Sequence, residues 1–354
     1  MKQPILAFNL NSDDYQIEQF GDGLINFTWK VSDRDNQPQF ILQRINTDVF
    51  KAPQDIADNI NNVGKYLSLN AQDYLFVSPL PAACGDYLLK YSDGNFYRLF
   101  PYVKNSVTIN AVQTPNEAFE AAQQFARFTR LLEDFDSSKL HYTLPGFHDL
   151  NMRIKQFKGT VMTADENRLQ TAKSVIEKVY HYQNIVATYE NITQNQLIPL
   201  RVIHHDTKIS NVLFDAHHKG MCVIDLDTVM PGYFISDVGD MMRTYLSPVT
   251  EEEQDFDKIE VRTDFFVAIM NGYFSEMADV LTQAEKSRFV YAGKFMIYMQ
   301  AIRFLTDYLN NDAYYHTSYP GQNLVRAQNQ FTLLEKYEVL ADTFQQLINK
   351  YRAD

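Results

Sequence analysis

Two carboxylates and an amide, Asp206, Asn211 and Asp225, stand close together in the sequence. They lie within Val202-Ile203-His204-His205-Asp206-Thr207-Lys208-Ile209-Ser210-Asn211 and Cys222-Val223-Ile224-Asp225-Leu226-Asp227. Oxygen-bearing side chains in this order suit phosphoryl transfer from a nucleotide such as ATP. That reaction needs a carboxylate to position, and to deprotonate, the acceptor hydroxyl, and oxygen ligands for the Mg2+ that neutralises the phosphates. Asp206 is the candidate for the first role, Asn211 and Asp225 for the second. A metal-hydrolase reading of His204, His205, Asp206, Asp225 and Asp227 is opposed by the adjacent histidines, because neighbouring strand side chains point to opposite faces. A set of ordinary loop acids is the third reading.

The interval from Asp206 to Asn211 is five residues, the interval of a kinase catalytic loop H-R-D-x-x-x-x-N, and Asp225 follows an apolar run as the D-F-G acid does. Nucleotide chemistry also needs a phosphate cradle. Gly21-Asp22-Gly23-Leu24-Ile25-Asn26-Phe27-Thr28 lies between two strand candidates, where backbone N–H groups and the Asn26 and Thr28 side chains can meet phosphate. The same two glycines also suit a plain tight turn. A cation over the phosphates is expected on the third strand, and Phe40-Ile41-Leu42-Gln43-Arg44-Ile45-Asn46 offers Arg44 in place of lysine. Strand parity leaves open whether Gln43 or Arg44 faces the cleft. The helix that follows carries Asp55 and Asp58 but no glutamate to pair with it.

The elements that must position these groups divide the chain. Tyr15 to Phe20, Phe27 to Val31, Gln39 to Ile45 and Asn95 to Tyr102 read as strands, separated by Gly21-Asp22-Gly23 and by a turn from Asp33 to Pro38. Ser92-Asp93-Gly94 marks a hairpin. Ile56, Ile60, Val63 and Leu67 at helical spacing predict one helix from Pro53 to Leu67. Beyond about Asn105 helical periods dominate. Thr114 is an N-cap candidate with Pro115 at the first helical position, followed by an apolar face from Ala118 to Phe135. Further helices are expected over Arg168 to Tyr189, Thr263 to Met277 and Ser287 to Leu309. The fold class is therefore α+β. A nucleotide-binding N-lobe is expected over residues 1–104, and a mainly helical C-lobe with the catalytic loop and acceptor site over 105–354.

Composition agrees with a globular, two-lobed chain. It has 354 residues, 45% of them hydrophobic, and a formal net charge of −12, a field that repels polyanions and argues against a nucleic-acid partner. Cys84 and Cys222 are the two cysteines, with no zinc or disulfide spacing, which suits a reducing cytoplasm. Met1 to Leu10 has no signal-peptide pattern, and the most apolar window, Phe289 to Leu309, holds Lys294, Arg303 and Asp307. That window is expected to be a buried helix rather than a membrane span.

With those residues in place, the sequence resembles the aminoglycoside-phosphotransferase and choline-kinase superfamily over nearly its whole length. These are small-molecule kinases with a fold similar to protein kinases. Ile41-Leu42-Gln43-Arg44-Ile45-Asn46, His205-Asp206-Thr207-Lys208 with Asn211, the run Ile224 to Gly232, and Asp237-Val238-Gly239-Asp240-Met241-Met242-Arg243-Thr244 resemble its N-acetylhexosamine 1-kinase branch. The resemblance implies that Asp206 is the base and that Asn211 and Asp225 hold Mg2+. It further implies that Gly21, Gly23 and their neighbours through Thr28 cover the phosphates of ATP, and that the backbone of Pro101, Tyr102 and Val103 receives adenine.

Asp227 is expected to support the metal through water or to cap a loop, and Asp240 with Arg243 to form a structural ion pair. By the same resemblance Arg303, Tyr314 and Tyr315 contact a small sugar acceptor. Read without the family, Arg303 pairs with an acid such as Asp307 and the tyrosines pack a core. Where relatives place His in the glycine loop and Asp shortly after, this chain has Leu24 and Phe27. Rival expectations are a choline, amino-alcohol or aminoglycoside acceptor and a nucleotide-binding scaffold without catalysis. The oligomeric state is left open.

Overall fold

Alternating apolar residues between turn formers give the first hundred residues a five-stranded antiparallel sheet. The computed structural model of the protein describes residues 2–21 and 25–351. Its elements run α1 (Lys2–Leu6), β1 (Gln16–Gln19), β2 (Phe27–Ser32), β3 (Pro38–Arg44), α2 (Pro53–Asn70), β4 (Leu89–Lys90) and β5 (Phe96–Pro101). Then come α3 (Pro115–Leu131), α4 (Leu150–Val161), α5 (Glu166–Thr171), α6 (Lys173–His181), α7 (Gln183–Gln194) and β6 (Arg201–Ile203). After β7 (Val212–Phe214), β8 (Gly220–Val223) and β9 (Met230–Gly232), the chain ends in α8 (Phe234–Tyr245), α9 (Thr263–Met277), α10 (Gln283–Lys286), α11 (Phe289–Leu309) and α12 (Gln322–Tyr351).

Two compact units share these elements. The first takes residues 1–108 together with 131–145 and 212–231. Its sheet has the order β1-β2-β3-β5-β4, and the turns at Asp33 and at Asp93 are those the sequence marked. Asp33 accepts the N–H groups of Asp35 and Gln37, and Asp93 accepts that of Asn95 at a bend where Gly94 takes φ +83°. One sheet face buries Val31, Leu42, Tyr97 and Leu99 against Ile5, Phe8 and Ala82, each such large side chain contributing ~1.5–3 kcal/mol relative to exposure. The register Thr28↔Gln43↔Arg98 fixes a row of polar residues on the other face.

The second unit takes 109–130, 146–211 and 232–354. Thr114, at the junction, caps α3 as expected: its hydroxyl accepts the Glu117 N–H and its own N–H reaches the Glu117 carboxylate. At the centre of the unit α11 packs on α12, α8 and α4, and it is buried on almost every side, as the expected buried helix should be. Among the described residues no helix is long and apolar enough to cross a membrane. Gly239 lets α8 close on α11, since a Cβ there would lie 2.3 Å from the Ala292 carbonyl oxygen. The single helix expected over Arg168 to Tyr189 is instead α5, α6 and α7. They are separated at Ala172 and Tyr182, where ψ opens to 2° and 19°. α4, α8 and α12 were not anticipated from the sequence.

Candidate active site

In the second unit β6 ends in the segment His204-His205-Asp206, and His205 takes φ +66°. A left-handed non-glycine residue costs ~1–3 kcal/mol, so the surroundings must impose it. They do so from α8. The Asp237 carboxylate accepts the His204 N–H at 2.9 Å and the His205 N–H at 2.7 Å. Asp240 accepts the Thr207 N–H at 2.9 Å. The Thr207 hydroxyl donates to the Asp237 carbonyl at 2.8 Å, and the Tyr245 hydroxyl to the Thr207 carbonyl at 2.5 Å. Burial pushes the Asp237 carboxyl up to about 6, against the pull of His204 and of the two N–H groups, with Asp240 adding repulsion. Asp240 is paired with Arg243, as expected, and Arg243 also meets Glu251. The His205 ring occupies room that only glycine leaves, because a Cβ at Gly232 would fall 2.4 Å from its Nε2.

Asp206 and Asn211 are brought together. Asn211 Nδ2 donates to the Asp206 carbonyl and to Asp206 Oδ2, each at 2.9 Å, and Lys208 Nζ lies 2.9 Å from the same Oδ2. Burial alone would raise the Asp206 carboxyl. Lys208, His204 and Asn211 outweigh it and hold the group below its ordinary value. Lys208 is thus a site residue that the sequence reading passed over, although its place two residues after the acid was the signal. With Nδ2 committed to Asp206, the Asn211 Oδ1 is the amide atom left to face a ligand.

In the first unit Asp225 is exposed and left-handed, at φ 60° and ψ 59°, just ahead of a buried turn from Leu226 to Thr228. An amide oxygen at Asn211 and an exposed carboxylate at Asp225 are hard oxygen donors, a chemistry that fits Mg2+ or Ca2+ and does not fit zinc.

Asp227, expected to support the metal or to cap a loop, is held in a buried ion pair. Its Oδ1 meets Arg98 Nη1 at 2.6 Å, with both side chains 3% exposed, and its Oδ2 accepts from Asn26 Nδ2 at 2.7 Å. The acid is the ion-pair partner of Arg98.

On β3 it is Gln43 that shares a face with Arg98 and its partner Asp227. Gln43 Oε1 accepts Arg98 Nε at 3.1 Å and Nη2 at 2.8 Å, and its Nε2 reaches the Thr28 hydroxyl at 3.2 Å. Arg44 sits on the opposite face with its guanidinium 4.0 Å from the centre of the Phe27 ring. The buried cation on the Gln43 face is Arg98, which sequence reasoning missed because its partners lie far away in the chain. Gly21 has φ +75° and open space around it. Asn26 is tied to Asp227 and to the Asn46 N–H, which donates to its Oδ1 at 3.0 Å. Gly23 and Leu24 lie outside the described residues. Among the candidate adenine contacts, the Tyr102 N–H donates to Gln39 and the Val103 carbonyl accepts from Ser106. Val103 also joins Phe100, Leu213, Met221 and Ile224 in an apolar cluster around Val77 and Cys222.

The residues expected at the acceptor gather in the second unit. Arg303 donates to Gln300 at 3.0 Å and lies 5.1 Å from the Phe147 ring and 5.6 Å from that of Tyr315. Gln300 in turn reaches the Tyr315 hydroxyl at 3.3 Å. Asp307 is not paired with Arg303; it accepts the N–H groups of Tyr314 and Tyr315 and the Asn323 amide. Tyr314 is 63% exposed. A chain of rings joins this end to the catalytic loop: Phe147 stacks on His148 at 4.3 Å, and His148 lies 5.4 Å from His205. Burial, His205 and the arginines 303, 153 and 243 press the His148 pKa well down, so its imidazole is neutral at pH 7. Arg153 was also missed. Burial and the repulsion of Arg303 bring it down to about 10, and its Nε has no hydrogen-bond partner.

The sequence profile of the phosphotransferase enzyme family matches residues 16–266. Solved structures share the fold at low identity. The microcompartment-associated aminopropanol kinase is 13% identical, with 97% of each chain covered and a TM-score of 0.62. An aminoglycoside phosphotransferase from Alicyclobacillus acidocaldarius is 14% identical, covering 98% of this chain and 95% of that one at a TM-score of 0.61. Amicoumacin kinase in complex with AMP-PNP, Ca2+ and Ami is 13% identical, covering 91% and 88% at 0.57. The fold is thus the kinase-like α+β arrangement, an antiparallel sheet followed by a helical region.

Proposed function

The chain belongs to the phosphotransferase enzyme family, and from that premise we propose that it transfers the γ-phosphate of ATP to the anomeric hydroxyl of an N-acetylhexosamine. The products are ADP and the sugar 1-phosphate, and N-acetylglucosamine and N-acetylgalactosamine are the acceptors. Residues 1–104 handle the nucleotide and 105–354 supply the catalytic loop and acceptor site, in a reducing cytoplasm suited to the two free cysteines. Adenine lies against Phe100, Val103, Leu213 and Ile224, and Asn211 with Asp225 holds Mg2+. When bound, the ion neutralises the phosphate oxygens and steadies the triphosphate for in-line displacement.

Asp206 does the proton work. Its Oδ2 is taken by Asn211 and Lys208, which leaves Oδ1 to accept the acceptor hydroxyl. As the new O–P bond forms and the bond to the β-phosphate oxygen breaks, the hydroxyl proton passes to Asp206. A carboxylate held below its usual pKa is a weak base. It suits a loose transition state, in which orientation contributes more than proton abstraction.

The observation that carries the acceptor class is the pair Arg153 and Arg303. Among the described residues neither makes an ion pair with a carboxylate, and each depresses the neighbouring His148. A site with two guanidinium groups outside any ion pair disfavours a quaternary or primary ammonium and favours a neutral, hydroxyl-rich ring that stacks on Tyr314 or Tyr315. The test is a panel of N-acetylhexosamines, choline, ethanolamine, aminopropanol and an aminoglycoside, scored for ADP release and acid-labile 1-phosphate. Turnover on the N-acetylhexosamines alone supports the reading. Turnover on an amino alcohol or an aminoglycoside moves the chain to that acceptor, and thermal stabilisation by Mg-ATP with no turnover makes it a nucleotide-binding scaffold.

A further inference from the structure

Kinases usually steady the nucleotide with a lysine on the third strand and a glutamate on the following helix. This chain has neither, since β3 offers Gln43 on the relevant face and the buried inward polar residue of α2 is Asn59. The missing charge pair reappears elsewhere in the first unit. Arg98 on β5 turns one edge of its guanidinium, Nε and Nη2, to Gln43 Oε1, and gives Nη1 to Asp227 at 2.6 Å. Asp227 lies two residues beyond the exposed Asp225.

We propose that Arg98 and Asp227 replace the lysine–glutamate pair as positioning residues, holding the Asp225 segment in fixed register with Asn26 just ahead of β2 while touching neither phosphate nor metal.

The surroundings fit a device of this kind. The segment is tied down at Asp227 and Val229. Asn26, just ahead of β2, donates to Asp227 Oδ2. The Thr143 hydroxyl donates to the Asp227 carbonyl at 2.7 Å, and Asn59 Nδ2 to the Val229 carbonyl at 3.0 Å. Asp227 is therefore gripped at both carboxylate oxygens and at its main chain, while the Asp225 carboxylate is left exposed. Pairing with Arg98 also removes the negative charge of Asp227 from the neighbourhood of a polyanionic nucleotide. Because Arg98 is 2% exposed and its donors are engaged on two sides, it has no edge to offer a phosphate. The Asn26 link carries the coupling onward to the start of β2 and to the Asn46 N–H.

This inference rests on the kinase reading, and the experiment separates the two. Removing one member of a buried pair strands the other charge and can unfold a protein, whereas replacing both with apolar side chains of similar size is often tolerated. The variants are therefore R98M/D227L and, for the link to β2, N26A. Each is first checked by thermal unfolding, then titrated with a non-hydrolysable ATP analogue by calorimetry over a range of Mg2+ concentrations, with the acceptor omitted. The expected result is a folded R98M/D227L protein whose metal-dependent gain in nucleotide affinity falls tenfold or more. In N26A the same quantity falls less, and kcat drops more than acceptor KM changes. A folded double variant with the wild-type Mg2+ dependence would show that the pair is only structural, and the proposal would fail while the kinase reading stood. If R98M/D227L does not fold, N26A alone decides, and an unchanged Mg2+ dependence there overturns the coupling to β2. A wild-type protein that binds no nucleotide at any Mg2+ concentration would remove both.

Discussion

Asn211 holds Asp206 at two points, through the carboxylate Oδ2 and the main-chain carbonyl, both at 2.9 Å. Its amide N–H donors therefore fix the rotamer of the acid, and its own oxygen takes no part in that pairing. Under the proposed mechanism Asp206→Asn removes the acceptor of the hydroxyl proton, and kcat is expected to fall ~10²–10⁴-fold with nucleotide affinity, measured by calorimetry, nearly unchanged. Asn211→Ala frees Asp206 to rotate and deletes the amide oxygen. That change is expected to lower kcat and raise the Mg2+ concentration needed for half-maximal rate together, a joint effect that Asp206→Asn does not produce.

Asp237 gives the protein a pH dependence of definite sign. Its folded pKa is about 6, against a reference of 3.8, so the folded state binds the proton more tightly than the unfolded one. The associated stability is fully present below pH 3.8 and is lost as pH rises through 6, on the order of 3 kcal/mol in all. Asp237→Asn is expected to flatten this part of the stability profile, as measured by denaturant unfolding from pH 4 to 7. Activity moves the other way. The ionised carboxylate accepts both loop N–H groups, so kcat/KM of the wild type should rise through an acid limb near pH 6.

Much of this was legible in the sequence. Asp206, Asn211 and Asp225 stood out because their types and intervals are local, and β2, β3, β5 and the hairpin at Gly94 were marked by alternation and turn residues. α8 was hidden because its buried face carries Ser236, Asp237 and Asp240, polar groups that serve the catalytic loop and so break the apolar periodicity expected of a core helix. α12 did carry a readable period, with Leu324, Ala327, Phe331, Leu334, Tyr337, Ala341, Phe344 and Ile348 all buried. Arg98 had no local signal. Its partners Gln43 and Asp227 lie 55 positions before it and far after it, and only the strand register Gln43↔Arg98 brings the first of them alongside.

Gly232 is a packing requirement of the catalytic loop. A methyl group there would meet His205 Nε2 at 2.4 Å and Ile203 Cδ1 at 2.8 Å, and both residues lie on the strand and turn that lead into Asp206. Gly232→Ala is expected to displace the His205 ring and cost ~1–3 kcal/mol of stability, read as a lowered Tm. Because the loop shifts with the ring, kcat should fall by at least ~10-fold, while the affinity for nucleotide changes little.

Arg303 and Arg153 make separable contributions at the acceptor end. Arg303 is anchored by Gln300 and lies beside the Phe147 and Tyr315 rings, and under the proposed acceptor assignment its guanidinium meets a sugar hydroxyl. Arg303→Ala is expected to raise acceptor KM ~10-fold or more, the loss of a charge-assisted hydrogen bond, with a smaller effect on the KM for ATP. Arg153 reaches the Phe147 carbonyl at 3.1 Å, and its larger effect is electrostatic, repelling Arg303 and holding His148 neutral. Arg153→Met should therefore leave the N-acetylhexosamine KM within a few fold and raise the pKa of His148, followed by NMR of the imidazole protons. It should also weaken the discrimination against cationic acceptors, so that amino alcohols show measurable turnover in this variant before they do in the wild type. An Arg153→Met protein with unchanged His148 titration and unchanged acceptor selectivity would show that the second guanidinium has no part in choosing the substrate.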